Sequence, residues 1–264
     1  MKQLEVINIK TIFESIIISF SMYSKIPMPY VQWKEENMKY AMCFFPLVGL
    51  AIGIVMGAWM YLAKFLGIGN ILFAGIATII PVIISGGIHI DGFCDTVDAR
   101  SSHQSAERKL EILKDPHIGA FALIYCVVYF IAVFSFWTEI NINMDTIIFI
   151  ALGFMLSRAF SAVSIVTFKC SKNSGLAYMF SNAAEKQVVK KSMFVYIVMI
   201  FTIMLFINSL LAIITILLTI LCFVKYKKMS YNEFGGITGD LAGYFLQMLE
   251  LILLIAVVIF GGTS

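Results

Sequence analysis

Charged residues are scarce in this sequence. Only 13% of its 264 residues are Asp, Glu, Lys or Arg, whereas 60% are hydrophobic. Soluble globular domains carry about 25% charged residues, so this chain has too little polar surface to cover itself in water. The composition therefore excludes an ordinary soluble domain and predicts a protein embedded in the lipid bilayer. We expect no nucleic-acid partner.

The sequence also lacks paired cysteines and any boundary between domains. Its five cysteines are scattered without a Cys-x-x-Cys pair, which argues against a disulfide framework or a zinc site. No linker, low-complexity tract or internal repeat is present, so residues 1–264 are expected to form one membrane domain. Lys10 and Glu14 interrupt the first apolar stretch and no small-residue cleavage site follows it, so no cleavable signal peptide is expected.

Seven apolar segments are candidates for transmembrane helices, which need roughly 20 residues each. They are residues 41–66, 70–88, 118–138, 145–168, 192–207, 209–225 and 240–260. Only Asn208 and Ser209 interrupt the run that contains the fifth and sixth segments. A single helix of that length would overshoot the membrane, so we predict a hairpin of two short helices. Residues 8–24 are amphipathic, as in a helix that lies in the membrane interface. The predicted fold is all-α, a polytopic bundle with about seven transmembrane helices and an N-terminal interfacial helix.

The basic residues predict the orientation of this bundle. Seventeen of the 19 Lys and Arg residues lie before the first span or in three later connections. Those connections are residues 89–117, 169–191 and 225–239. With seven spans, all four basic segments fall on one side, which we expect to be the cytosol. The N-terminus is then cytosolic, the C-terminus is outside, and the membrane is a bacterial or archaeal cytoplasmic membrane.

The connection after the second span concentrates acidic residues. Asp91, Asp95 and Asp98 are spaced by four and three positions, so a helix would carry all three on one face. Like charges at this spacing repel, and Mg²⁺ is the usual compensating cation beside phosphates. The preceding Gly86 and Gly87 allow backbone or ligand to approach closely. The pattern favours a metal site over a solvated acidic loop whose helical spacing is incidental.

A second glycine-rich motif precedes the last span. It reads Gly235-Gly236-Ile237-Thr238-Gly239-Asp240. Such a turn at a helix N-terminus presents bare N–H groups that bind phosphate. The alternative is that Thr238 or Asp240 serves only as the N-cap of the following helix.

Three other residues need an interpretation. His89 is a candidate base near neutral pH, and a packing or orienting histidine is the alternative. Arg158 and Glu250 fall near the middle of predicted spans, where a charge indicates function together with a partner. We expect them to pair with each other or to line a substrate cavity. A purely structural ion pair is the alternative.

Five segments, in order along nearly the whole chain, form a recognisable set. They are KIPMP (25–29), CFFPLVGLAIG (43–53), GGIHIDGFCDTVDA (86–99), LEILKDPHIGAFA (110–122) and GGITGDLAGYFLQMLEL (235–251). The set resembles the cobalamin synthase family, also called adenosylcobinamide-GDP ribazoletransferases. The resemblance implies a Mg²⁺-dependent phosphoryl transfer at the cytosolic membrane face. In it, α-ribazole or its 5′-phosphate attacks the phosphate on the corrinoid arm of adenosylcobinamide-GDP. GMP leaves, and adenosylcobalamin or its 5′-phosphate forms.

The resemblance also implies roles for individual residues. Asp91, Asp95 and Asp98 would be catalytic metal ligands, and Asp240 a further ligand. One of the aspartates would be the general base, with His89 in reserve. The residues expected to bind substrate or phosphate are Gly86, Gly87, Arg100, Lys114, Asp115, Arg158, Gly235, Gly236, Thr238, Gly239, Asp240 and Glu250. Beyond the two substrates the expected partner is the lipid bilayer, and the sequence leaves a homo-oligomer open.

Two other functions are compatible with a polytopic helical protein. A phosphotransferase acting on a lipid acceptor also uses spaced aspartates at a membrane face, but it carries an Asp-Gly-x-x-Ala-Arg element that this chain lacks in that form. A transporter gathers polar groups near the bilayer midplane within broken helices. Here Arg158 and Glu250 are the clear midplane charges, and the acidic residues collect at the predicted cytosolic rim.

Overall fold

The computed structural model describes residues 9–262. Lys2, which counts toward the predicted orientation, and Asn8, which begins the predicted interfacial helix, lie outside the described residues. The described chain is helical and contains no β-strand. Its α-helices are α1 (Ile9–Tyr23), α2 (Glu35–Met38), α3 (Phe45–Phe65), α4 (Asn70–Ser85), α5 (Ile88–Ser101), α6 (Ala106–Ile112), α7 (Ala120–Thr138), α8 (Met144–Thr167), α9 (Leu176–Ala183), α10 (Lys186–Ile207), α11 (Ser209–Phe234) and α12 (Gly239–Phe260).

Six regions of the described chain are long and apolar enough to cross a membrane. They are α3 together with the turns before it, and α7, α8, α10, α11 and α12. The pair formed by α4 and α5 adds a seventh if it counts as one broken span, with a 95° bend between its two helices. The predicted all-α polytopic bundle is therefore confirmed. Because α5 is too short and too polar to cross alone, we treat it as lying outside the membrane-spanning segments.

The bend between α4 and α5 depends on two consecutive glycines. Gly86 and Gly87 have φ values of 68° and 79°, in the left-handed region that side chains rarely enter. The aliphatic stem of Lys25 also lies against Gly86 and leaves no space there for a Cβ atom. The backbone N–H of Lys25 donates to the carbonyl of Ile84 at 2.7 Å. These contacts turn the aspartate-bearing helix away from the direction of the span before it.

The predicted hairpin between the fifth and sixth spans is present. Asn208 ends α10, and its Oδ1 accepts a hydrogen bond from the backbone N–H of Leu211 at 2.9 Å, which caps α11. The helices are longer than the apolar segments suggested, because α11 continues to Phe234. The residues from 225 to 234 were predicted as a connection, but nothing before Gly235 (φ 69°) stops the helix.

Small residues bring two pairs of helices into close contact. In α3, Gly49 lies against the backbone of Phe154 in α8. In α5, a Cβ at Gly92 would stand 2.8 Å from the Cα of Asp240 in α12, and a Cβ at Gly243 would stand 3.1 Å from the carbonyl oxygen of His89. Such close backbone approach is typical of helix packing in membranes. It fixes α5 against the start of α12.

The N-terminal helix α1 exposes part of its apolar side. Ile9 and Phe13 are 71% and 63% exposed, whereas Ser15 and Ser19 are buried against the bundle. The hydroxyl of Ser15 donates to the carbonyl of Asn37 at 2.6 Å, which ties α1 to the segment that leads into α3. Exposed apolar side chains on a helix attached to a membrane bundle are consistent with the predicted interfacial position.

Candidate active site

The aspartates of α5 share one face of that helix, as their spacing predicts. Phe93 and Val97 face the interior and are only 4% and 9% exposed. Asp91 is exposed, while Asp95 and Asp98 are partly buried. Gly119, just before α7, lies directly against the carboxylate of Asp98 and leaves no space there for a side chain. The glycine of the IGAFA segment therefore gives the Asp98 carboxylate room.

Asp240 joins these carboxylates from the first turn of α12. Partial burial, together with the nearby charges of Asp91, Asp240 and Asp98, raises the pKa of the Asp95 carboxyl to about 7. No Lys or Arg of the described chain forms an ion pair with any of the four aspartates. The tertiary structure thus gathers like charges from two helices, and Lys172 offsets part of the charge of Asp240 without forming an ion pair with it.

The donor set fits a weakly held magnesium ion better than a closed metal cage. Within residues 9–262, no three His, Cys, Asp or Glu side chains converge closely enough to enclose a metal. Mg²⁺ in phosphoryl-transfer sites is commonly held by one or two carboxylates together with water and substrate phosphates. Four neighbouring carboxylates that form no ion pair with a Lys or Arg of the described residues suit that arrangement. The assignment of Asp91, Asp95, Asp98 and Asp240 as ligands stays a prediction.

Two adjoining clefts open beside the carboxylates. The larger has a volume of ≈380 Å³ and the smaller ≈140 Å³. Leu176, Ala177, Gly239 and Asp240 line both, so Asp240 stands at their junction. Asp91 lines the smaller cleft. A substrate in each cleft would meet the other at the carboxylates.

The larger cleft is basic. Lys114 and Lys172 line it, and the Nζ of Lys172 donates to the carbonyl of Leu110 at 2.8 Å. Partial burial and the nearby charge of Lys114 lower the pKa of Lys172. An anion between the two ammonium groups would relieve their repulsion. Lys172 could not be singled out from the sequence, because it lies far along the chain from Lys114 in an irregular segment.

The glycine-rich motif serves both as a turn and as a helix start. Gly235 and Gly236 have positive φ values, and the backbone N–H of Ile237 donates to Lys169 at 2.9 Å, which anchors the turn. The hydroxyl of Thr238 accepts from the N–H of Leu241 at 3.2 Å, so Thr238 is the N-cap of α12, as the alternative reading proposed. The start of α12 at Gly239 and Asp240 lines the larger cleft.

His89 is buried beside the smaller cleft. It is 5% exposed, and its Nε2 has no hydrogen-bond partner among the described residues. Its ring stacks on Tyr23 at a centroid distance of 6.1 Å and lies 5.9 Å from Phe45. A role for His89 as a base stays a prediction.

Arg100 lies outside both clefts, in an ion-pair network that sequence reasoning missed. Its Nη2 lies 3.1 Å from the Oε1 of Glu233, and its Nη1 donates to the hydroxyl of Tyr244 at 3.2 Å. Lys109 lies 3.0 Å from the other oxygen of Glu233. The network joins α5, α6, α11 and α12 at the rim that carries the aspartates. Phosphate binding by Arg100 stays a prediction. Its contacts in the structure hold α5 against α11 and α12.

Arg158 and Glu250 form the pair that their positions suggested. Arg158 Nη1 lies 2.6 Å from Glu250 Oε1, with side-chain exposures of 1% and 10%. The hydroxyl of Ser157 also donates to Glu250 at 3.0 Å. Glu250 lines a small apolar cavity of ≈50 Å³ within the bundle, away from the two clefts.

Asp115 is exposed and hydrogen bonded to His117, which lowers the pKa of the Asp115 carboxyl. It lines neither cleft.

Comparison with known proteins agrees with this geometry. Residues 15–258 match the model of the cobalamin-5-phosphate synthase family. The chain is 49% identical to an adenosylcobinamide-GDP ribazoletransferase from Lachnoclostridium phytofermentans, over 94% of each chain. It is 34% identical to one from Clostridium botulinum, over 95% of this chain and 99% of that protein. No solved structure matches the chain. The chain therefore belongs to the cobalamin-5-phosphate synthase family.

Proposed function

We propose that this membrane protein transfers the adenosylcobinamide phosphate group of adenosylcobinamide-GDP to α-ribazole or its 5′-phosphate. GMP is released. The reaction completes the assembly of adenosylcobalamin or its 5′-phosphate. The observation that carries the proposal is the junction of two clefts at the aspartate cluster, in a chain of this family. One cleft is basic and the other is largely apolar, as a reaction between a diphosphate and a nucleoside requires.

The reacting site is assigned to the cytosolic face of the cytoplasmic membrane. The clefts lie at the end of the bundle where the described Lys and Arg residues of α5, α6, α10 and α11 collect. Positive residues are retained on the cytosolic side of membrane proteins. A charged nucleotide and a corrinoid can reach this end from water without crossing the bilayer.

The residues of the larger cleft suit the diphosphate of the activated corrinoid. Lys114 and Lys172 supply two positive charges, and the first N–H groups of α12 supply a helix N-terminus beside Asp240. These groups hold the diphosphate with one phosphorus next to the aspartates. When bound, Mg²⁺ neutralises charge on the phosphate oxygens.

The transfer itself balances without a covalent enzyme intermediate. A hydroxyl oxygen of α-ribazole forms a bond to the phosphorus that carries the corrinoid arm. The bond between the two phosphates breaks, and GMP leaves with the bonding electrons. An aspartate of the cluster accepts the proton of the attacking hydroxyl. Positioning and charge neutralisation supply most of the catalysis in such transfers.

The test uses purified protein in detergent micelles with adenosylcobinamide-GDP, α-ribazole or its 5′-phosphate, and MgCl₂. GMP and the corrinoid product are followed by chromatography. We expect turnover that stops with EDTA and with Asp91→Asn. The matched control is Asp145→Asn, an exposed aspartate in the first turn of α8 at the opposite end of the bundle, which should retain activity. Absence of turnover by folded wild-type protein with both ribazole forms would exclude the proposed function.

A further inference from the structure

The smaller cleft has the character of a site for a flat heteroaromatic ring. Tyr23, Phe45 and His89 line it from three different helices, and Met22 and Met42 add soft apolar surface. Its volume of ≈140 Å³ is small for a corrin macrocycle. Aromatic and thioether side chains in this arrangement pack well against the faces and edges of planar rings.

One polar atom in this wall lacks a partner. The Nε2 of His89 is buried without a hydrogen bond among the described residues. A buried polar group of this kind costs free energy unless a ligand or water satisfies it. Among the described residues, the Tyr23 hydroxyl makes a weak contact with the sulfur of Met42, at 3.8 Å. The cleft therefore offers stacking surface, and one of its lining residues carries a buried nitrogen without a hydrogen-bond partner among the described residues.

We propose that the smaller cleft binds the benzimidazole base of α-ribazole, with His89 Nε2–H donating to the free ring nitrogen. The inference rests on the proposed function and deepens it. A benzimidazole nucleoside has one unsubstituted ring nitrogen, which only accepts a hydrogen bond, and its remaining edges are apolar. That demand needs one donor, which His89 supplies, in a cleft whose other lining is mainly apolar and includes the Ser161 hydroxyl. The attached ribose then extends toward Asp91 and Asp240 at the junction of the clefts.

Guanine fits the same cleft less well. Its edge carries several donors and acceptors, and the His89 imidazole and the Tyr23 and Ser161 hydroxyls of this cleft cannot pair with all of them. The carboxylates that could accept from guanine are Asp91 and Asp240, which the phosphoryl transfer uses. The guanine of the activated corrinoid therefore belongs on the other side of the junction. His89 is a positioning residue in this arrangement and takes no proton from the attacking hydroxyl.

Equilibrium binding of α-ribazole tests the proposal without turnover. Titration calorimetry in detergent micelles should show that His89→Ala weakens α-ribazole binding about ten-fold, the value of a lost buried hydrogen bond. His89→Gln, whose amide N–H replaces the imidazole donor, should stay within about three-fold of wild type. GDP binding should be unchanged in both variants. If His89→Ala leaves α-ribazole binding intact, or weakens GDP binding instead, the assignment is wrong.

Kinetics separate this role from that of a general base. His89→Ala should raise the KM for α-ribazole about ten-fold with a much smaller change in kcat. Loss of a general base would instead lower kcat on the order of a hundred-fold or more and leave the KM unchanged. That result would overturn the positioning role. If wild-type protein binds α-ribazole but shows no transfer, the proposed function fails and the base site survives.

A ligand series on the wild-type protein avoids any effect of substitution on folding. The base of α-ribazole is a dimethylbenzimidazole, and the riboside that lacks these methyl groups should bind about four-fold more weakly for each methyl group removed, as expected for lost burial of one carbon. Equal affinity for both ribosides would contradict an apolar enclosed cleft. Guanosine should not displace α-ribazole. Displacement at similar concentrations would show that the cleft binds the guanine nucleotide instead.

Discussion

Helix α12 carries two carboxylates ten residues apart, Asp240 and Glu250, and their surroundings are opposite in charge. Glu250 lies inside the bundle and is held by Arg158 at 2.6 Å and by Ser157 at 3.0 Å. Asp240 stands at the rim, among carboxylates of α5 that raise the pKa of Asp95. A charge within the membrane is compensated by a partner in the fold. The rim aspartates form no ion pair with a Lys or Arg of the described residues, and Lys172 offsets only part of the charge of Asp240, so we expect a ligand to supply further compensation.

The largest expected effect comes from breaking the compensated pair. Glu250→Gln removes the carboxylate and leaves Arg158 buried with its positive charge unpaired. We expect a loss of about 3–5 kcal/mol in the free energy of unfolding. Thermal unfolding in detergent micelles, followed by circular dichroism, measures it.

A double variant is the control for that pair. Arg158→Met with Glu250→Met removes both charges, and it should be more stable than either single variant, because no uncompensated charge remains. If Glu250→Gln unfolds at the wild-type temperature, the pair does not stabilise the bundle.

A substitution in the aspartate cluster should separate activity from stability. Asp95→Asn is expected to lower kcat on the order of a hundred-fold. Its unfolding temperature in EDTA should equal or exceed that of wild type, because one like charge is removed from the cluster. Activity assays and thermal unfolding on the same preparation give both values. A less stable protein with full activity would mean that Asp95, like Glu250, stabilises the fold and is not needed for the reaction.

Helix α12 carries both Asp240 of the aspartate cluster and Glu250 of the buried ion pair, and α5 packs closely against it. Gly92→Ala places a Cβ 2.8 Å from the Cα of Asp240, so the helices must separate. We expect a loss of about 1–3 kcal/mol in stability and a fall in kcat larger than the change in KM. Gly75→Ala in α4 is the matched control, because a Cβ there meets no atom within 4 Å. It should be neutral or slightly stabilising.

The smallest expected effect concerns the basic cleft. Lys172→Gln removes one of two cations beside Asp240, and the KM for adenosylcobinamide-GDP should rise about ten-fold with little change in kcat. Lys190→Gln removes an exposed charge from α10, which does not line either cleft. Steady-state kinetics of the two variants distinguish a specific contact from general attraction of an anionic substrate. Equal KM increases in both would favour general attraction.

Local patterns were sufficient to predict several features of the site. The spacing of Asp91, Asp95 and Asp98 gave their common face, because helix periodicity is a property of the chain itself. The asparagine at 208 gave the hairpin, since an apolar run longer than the bilayer must turn. The length of α11 was predicted wrongly because its polar residues after Lys225 still favour helix until a glycine ends it.

The sequence by itself determined that this chain spans a membrane, and it placed three carboxylates on one helix face. Composition and periodicity act over a few turns, and a lipid solvent leaves few other solutions for the backbone. Only the tertiary structure decided which distant residues meet. It brought Asp240 to the α5 aspartates, joined Lys172 to Lys114, and paired Glu233 with Arg100. Those contacts depend on how helices pack across long sequence separations, which no local pattern encodes.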